Sequence, residues 1–171
     1  MDVYDAIHTR RSVRQFTDAD VTDAQVERVL RAAMAAPSAG NGQPWRFVVV
    51  RDAETLAKLA ASTPYAGPIG RAPVGIVVLA EVTAEKFAGL WPLDCSAATE
   101  NLMLAAHARG LGTCWLGVYP EAEREAAVAE IVGVPDNMRV MCMVAVGVPD
   151  GHAPVVDRYR PELVRNERWT Q

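Results

Sequence analysis

Asp94-Cys95-Ser96-Ala97-Ala98-Thr99-Glu100-Asn101-Leu102-Met103-Leu104-Ala105-Ala106-His107-Ala108-Arg109 is the longest helical pattern in the chain. Its side chains are small and apolar nearly all round (Ala97, Ala98, Leu102, Leu104, Ala105, Ala106), and Gly110 stands where a C-cap belongs. A helix apolar on most faces has to be buried, either at a domain centre or against a second subunit. The remaining elements are read outward from it.

Upstream, Val3 to Thr9 reads as a short helix with Val3, Tyr4 and Ile7 facing inward. Thr22-Asp23-Ala24-Gln25 has the form of a capping box. Val26, Val29, Leu30, Ala33 and Met34 follow at helical spacing, until Pro37 stops the helix. Arg46 to Arg51 predicts a strand, and Asp52 caps a helix through Leu56, Leu59 and Ala60. Ser62 to Pro73, rich in Pro and Gly, predicts a mobile loop, and Val74 to Ala80 a strand buried on both faces. Downstream come a strand over Gly112 to Leu116, a polar helix from Glu121 to Val132 stopped by Gly133, and an apolar strand from Val140 to Gly147. The tail from Val148 has no clear periodicity. This order, α-α-β-α-β-α-β-α-β, predicts an α+β chain with α/β-type layers, and residues 1–171 read as one domain.

A chain of 171 residues can bury a real core without disulfides or metals. Its net charge of −4 gives no global basic field to hold nucleic acid. No stretch approaches the roughly 20 apolar residues that span a bilayer, and the polar N-terminus lacks a signal pattern. Cys95, Cys114 and Cys142 form neither a disulfide framework nor a zinc pattern, so they read as reduced thiols in a cytoplasm.

Two stretches stand out chemically. Thr9-Arg10-Arg11-Ser12-Val13-Arg14-Gln15-Phe16 concentrates three arginines and a serine. Guanidinium forks match phosphate oxygens, and Arg10 and Arg14 would share a face if the run stayed helical; a solvated basic helix end has the same composition. Pro37-Ser38-Ala39-Gly40-Asn41-Gly42-Gln43-Pro44-Trp45 offers amides beside glycines that let a flat ligand approach the backbone; an ordinary turn before a strand looks alike. Other chemistries fail. His8, His107 and His152 lie in unrelated contexts without a nucleophile elbow. No ligand spacing supports a metal site. Gly110-Leu111-Gly112 leads from helix to strand, the reverse of a dinucleotide fingerprint.

Arg10-Arg11-Ser12-Val13-Arg14 followed by Ala36-Pro37-Ser38-Ala39-Gly40-Asn41-Gly42-Gln43-Pro44-Trp45 resembles the FMN-dependent nitroreductase family, as a small, single-domain member. Ala97 to Leu102, Leu111 to Gly117, Val146-Gly147 and Arg158-Tyr159-Arg160-Pro161 extend the likeness in the right order. The resemblance implies a nitroreductase-like fold, a central, mainly antiparallel sheet flanked by helices, in an intertwined homodimer with the long helix as its core. It implies FMN held without a covalent bond. Arg10, Arg11, Ser12 and Arg14 would hold the phosphate, the ribityl chain and part of the pyrimidine edge, with Arg158 and Arg160 completing the phosphate site. Pro37, Ser38, Asn41 and Gln43, from the same or the partner chain, would line the isoalloxazine. Leu116 and Gly117 would pass along the ring near N5 through backbone groups.

The implied activity moves hydride from NADH or NADPH, via flavin N5, to a nitroaromatic, quinone, enone or similar small oxidant. The flavin brings that chemistry, so no catalytic acid or base side chain is named. A storage or sensing protein that binds FMN without turnover is the alternative, and an oligomer binding another anion a further one. The chain departs from many larger members in carrying Leu116 where they have an acidic residue, and in being short, which reduces the excursions that roof their substrate pockets.

Overall fold

The computed structural model describes residues 1–151 and 153–169. His152, set apart above from the other histidines, lies outside the described residues, as do Thr170 and Gln171 of the tail. The elements are α1 (Val3–Thr9), α2 (Asp23–Met34), β1 (Trp45–Val50), α3 (Ala53–Ala61), β2 (Val74–Glu81), α4 (Trp91–His107), β3 (Gly112–Gly117), α5 (Ala122–Val132) and β4 (Met138–Gly147). Their order is the expected one. The strands form one sheet in the order β1-β2-β4-β3, antiparallel throughout, with a register shift between Val78 and Leu79.

Helices cover both faces of the sheet. α2 and α4 pack on one side through Val29, Ala33, Ala98, Leu102 and Ala106 against Ile76, Val78, Val144 and Val146. α3, α5 and a 3-10 turn over Gly67–Arg71 pack on the other, through Leu56, Leu59, Ile69 and Val128 against Val77, Leu79, Met143 and Ala145. β2 is therefore buried on both faces. Local signals set the boundaries. Thr22 Oγ1 accepts the Gln25 N–H, and Gln25 Oε1 accepts the Thr22 N–H at 2.9 Å. Asp52 accepts the Thr55 N–H at 2.8 Å. Gly133 takes the left-handed cap of α5 at φ 69°, and Leu111 N–H reaches back to Ala106 O around Gly110 at φ 78°.

Four expectations are corrected. α4 begins at Trp91 rather than Asp94, because Pro92 falls in its first turn, where the missing N–H is harmless. α1 buries only Ala6; Val3, Tyr4 and Ile7 are exposed in this chain, since the helix touches α4 along one narrow line. The segment 62–73 is packed rather than free, for Ile69 is fully buried and fills the space over Gly75, where an added Cβ would lie 2.8 Å from Ile69 Cδ1. The arginine stretch leaves helical geometry at Arg10, with φ −57° and ψ 133°, so Arg10 and Arg14 do not share a helix face.

That stretch runs extended along β3 instead. Ser12 bridges to Thr113 in parallel sense, and Val13 N–H donates to Thr113 O at 2.8 Å. Two glycines paired across the β3–β4 ladder, Gly112 and Gly147, make this close approach possible. A Cβ on Gly112 would meet Val13 at 2.7 Å, and one on Gly147 would meet Phe16 at 2.7 Å and Pro73 at 2.8 Å. Gly147→Ala is expected to cost roughly 1–3 kcal/mol as overpacking, a fall in Tm of about 2–10 °C by calorimetry. Gly117→Ala is the control, because a Cβ there meets nothing within 4 Å and should change stability by less than about 0.5 kcal/mol.

Candidate functional site

Running along the sheet edge, the segment from Arg10 to Arg14 lies beside two adjoining concavities. The first, about 290 Å³, is lined by Arg10, Arg11, Ser12 and Arg158 together with Ile7, His8 and the tail residues Val156 to Tyr159. The second, about 470 Å³, joins Arg14 to Cys114, Trp115, Leu116 and Gly117 at the end of β3, and to Tyr65, Pro68 and Arg71 across the groove. Two residues of extended chain, about 7 Å, separate Ser12 on the first from Arg14 on the second.

The arginines are placed differently. Arg10 donates Nε to Glu100 on α4 at 3.2 Å. Arg11 gives its N–H groups to four main-chain carbonyls: His8 (2.9 Å), Arg10 (2.6 Å), Pro154 (3.1 Å) and Val156 (3.3 Å). Arg14 is exposed and faces the groove, and Arg71 donates Nε to Arg14 O at 3.1 Å. Arg160 lines neither space and stands 3.7 Å from Glu162.

Pro37, Ser38, Asn41 and Gln43 are elsewhere. Their loop packs at the N-terminal end of α4, where Ala39 N–H donates to Asp94 Oδ1 at 2.9 Å. The arginine segment meets α4 further on, at Glu100 and His107. Along the helix axis Glu100 stands ~9 Å from Asp94, and His107, which meets Thr9, ~20 Å. Within the loop Gly40, Asn41 and Gln43 have φ of 57°, 56° and 50°. For Gln43 this left-handed backbone costs roughly 1–2 kcal/mol and needs surrounding contacts to hold it, whereas Asn tolerates it better.

The sequence profile of the Nitroreductase family matches residues 7–64 and 61–148. The chain belongs to the nitroreductase family. It is 43% identical over 167 residues to a provisionally named NADH dehydrogenase/NAD(P)H nitroreductase of Archaeoglobus fulgidus, covering 95% of this chain and 96% of the other. Among solved structures it resembles an FMN-dependent nitroreductase of Clostridium difficile, with a TM-score of 0.91, 26% identity and coverage of 97% and 99%. It also resembles a provisionally named nitroreductase of Desulfovibrio desulfuricans in complex with FMN, with a TM-score of 0.84, 33% identity and 99% coverage of each chain. The nitroreductase-like fold expected from the motifs is thus the observed one.

Sequence reasoning did not single out Arg71, Asp94 or Glu100. Arg71 sat in a segment read as an open loop. Asp94 marked only the start of a helix, although a carboxylate on an otherwise apolar helix was a usable signal. His107 has a structural role. Thr9 Oγ1 donates its one proton to Asp5 O at 2.6 Å, so the 2.7 Å contact to His107 requires Nε2–H as donor. Burial first, and then the charges of Arg10 and Arg11, pull the His107 pKa below 6.5.

The sign of the linkage follows. The folded state favours neutral imidazole and the unfolded chain binds its proton near pH 6.5, so this contribution is complete above that value and is lost as pH falls below it. Urea midpoints measured at pH 7.5 and 5.5 should drop for the wild type and drop less for His107→Gln. An equal drop in both would remove His107 as the cause.

Proposed function

We propose that this nitroreductase-family chain is an FMN-dependent oxidoreductase that passes reducing equivalents from NADH or NADPH to a small oxidised acceptor, a nitroaromatic or a quinone, and works as a homodimer of one-domain subunits. One observation carries the reading. Arg10, Arg11, Ser12 and Arg158, drawn from the two ends of the chain, converge on one cavity, and Arg14, two residues along the same extended arm, lines a second with Leu116 and Gly117.

The donor set fits the cofactor. Arg10 and Arg158 offer cationic N–H groups, and Ser12 a hydroxyl, to a phosphate and a polyol chain. Gly117 is exposed, and the space where its Cβ would be is open, so a flat ring can approach the strand backbone. Arg14 and Arg71 set two positive charges beside that groove, which favours the anionic reduced form of a ring there. When bound, FMN supplies the two-electron chemistry between nucleotide and acceptor, and the chain binds and orients it.

A second copy accounts for the loop of Ser38, Asn41 and Gln43, which within one chain is held at the N-terminal end of α4 by Asp94, whereas Arg10 meets that helix further on, at Glu100. It also accounts for apolar surface left bare in a single chain: Val3, Tyr4 and Ile7 on α1, and Val155, Val156, Tyr159, Leu163, Val164 and Trp169 on the tail. A second copy packed on these side chains would take them out of water. Three free, buried cysteines suit a reducing cytoplasm, and among the described residues no helix is long and apolar enough to cross a membrane.

The test is an absorption spectrum of the purified protein, repeated without oxygen after NADH and then NADPH. The expected result is a flavin spectrum bleached by at least one nucleotide, with turnover on adding a quinone or nitroaromatic. A flavin that neither nucleotide bleaches would replace this reading with storage, and a protein that takes up no FMN would remove it. Arg14→Ala should raise the Kd for FMN about tenfold or more, the loss of one charged hydrogen bond. Unchanged affinity by fluorescence titration would take Arg14 out of the site.

A further inference from the structure

The loop bearing Ser38, Asn41 and Gln43 is anchored to α4 by one charged side chain. Asp94 is buried, at 7% exposure, and accepts the Ala39 N–H at 2.9 Å. The loop's own side chains bond to one another: Ser38 Oγ accepts the Gln43 N–H at 3.1 Å, and Gln43 Nε2 donates to Asn41 Oδ1 at 2.8 Å. Those bonds shape the loop but do not place it. Gly40 lies against Lys86 and the exposed Phe87, and Gly42 against the backbone of Ala84 and Lys86, so the loop rests on this segment while Asp94 ties it to α4. A carboxylate is costly to bury unless its hydrogen bonds are met, so Asp94 and the Ala39 N–H hold each other in register.

Resting on the flavin reading above, we infer that Asp94 is a positioning residue: its carboxylate, acting through the Ala39 N–H, fixes where Ser38, Asn41 and Gln43 meet the flavin ring. Asp94 touches neither cofactor nor substrate in this scheme. What it controls is the distance between α4 and the loop.

Three variants separate this role from mere stability. Asp94→Ala removes the acceptor. Asp94→Asn keeps a carbonyl oxygen in the same place without the charge. Ala39→Pro removes the donor and leaves Asp94 intact; Ser38 is already extended at φ −142° and ψ 152°, the geometry required before proline, and the first position of a helical turn tolerates it.

Flavin-free whole protein is titrated with FMN by fluorescence quenching, with the absorption band of the bound flavin recorded at saturation. Asp94→Ala and Ala39→Pro are expected to weaken FMN binding about tenfold and to shift the band, while Asp94→Asn restores both. A folded Asp94→Ala that binds FMN as the wild type does overturns the inference, as does an Asp94→Asn as weak as Asp94→Ala. Should Asp94→Ala not fold, Ala39→Pro and Asp94→Asn decide between the same outcomes. A wild type that takes up no flavin overturns the flavin reading and this inference with it, whereas a flavin-binding wild type with indifferent variants overturns this inference alone.

Discussion

The close contact between the N-terminal arm and the sheet is the constraint on which the site depends. A side chain at either Gly112 or Gly147 would occupy the volume held by Val13 or Phe16. Because the two glycines are ladder partners, their missing side chains make one continuous shallow seat. The arm settles into it with hydrogen bonds at both ends, Val13 N–H to Thr113 O and Thr17 N–H to Val148 O. Strand periodicity then turns Ser12 and Arg14 outward together, away from Val13. An arm held further off would keep its arginines but lose their fixed spacing, and fixed spacing is what distinguishes an anion site from a basic patch.

α4 measures out the rest. Its residues Cys95, Ala98, Leu102 and Ala106 lie on the sheet, so its position follows from core packing rather than from any ligand. Polar contacts then hang from it at different heights: Asp94 holds the amide-rich loop, Glu100 meets Arg10, and His107 meets Thr9. A rigid helix keeps these heights constant. It also keeps the loop and the arm apart within one chain, which is why the proposed site draws on a second copy.

Much of this was legible from local pattern. The capping box at Thr22, the Asp52 cap and the unbroken apolar run of β2 depend on neighbours in sequence, and each is where its pattern placed it. Illegible parts depended on contacts between distant segments. Nothing around Gly112 tells that an earlier arm crosses it. Pro and Gly in the segment 62–73 spoke for a loop, yet Gly75 offers Ile69 a buried position that composition does not reveal. The apolar face of α1 was legible, but its exposure was not: Val3, Tyr4 and Ile7 are bare in this chain and only Ala6 is buried. The site residues separate the same way. Residue type marked the arginine arm as a candidate site, and only packing brought Arg71 beside it.

The arginine cluster also shows why charge alone misleads. In a chain of net charge −4, adjacent Arg10 and Arg11 read as equal candidates for a phosphate. Their surroundings give them different work. Arg11 bridges the end of α1 to the tail through the carbonyls of Pro154 and Val156, and this draws Asp157, Arg158 and Tyr159 over the cavity. Only a planar fork with several donors can meet carbonyls in those separate directions, so lysine would not replace it. Arg10, tied to Glu100 through Nε, is held in one orientation with the end of its fork beside the cavity. One guanidinium therefore builds the wall that the other faces, and the tail reaches the site because a hydrogen-bonded cation, rather than an apolar contact, holds it there.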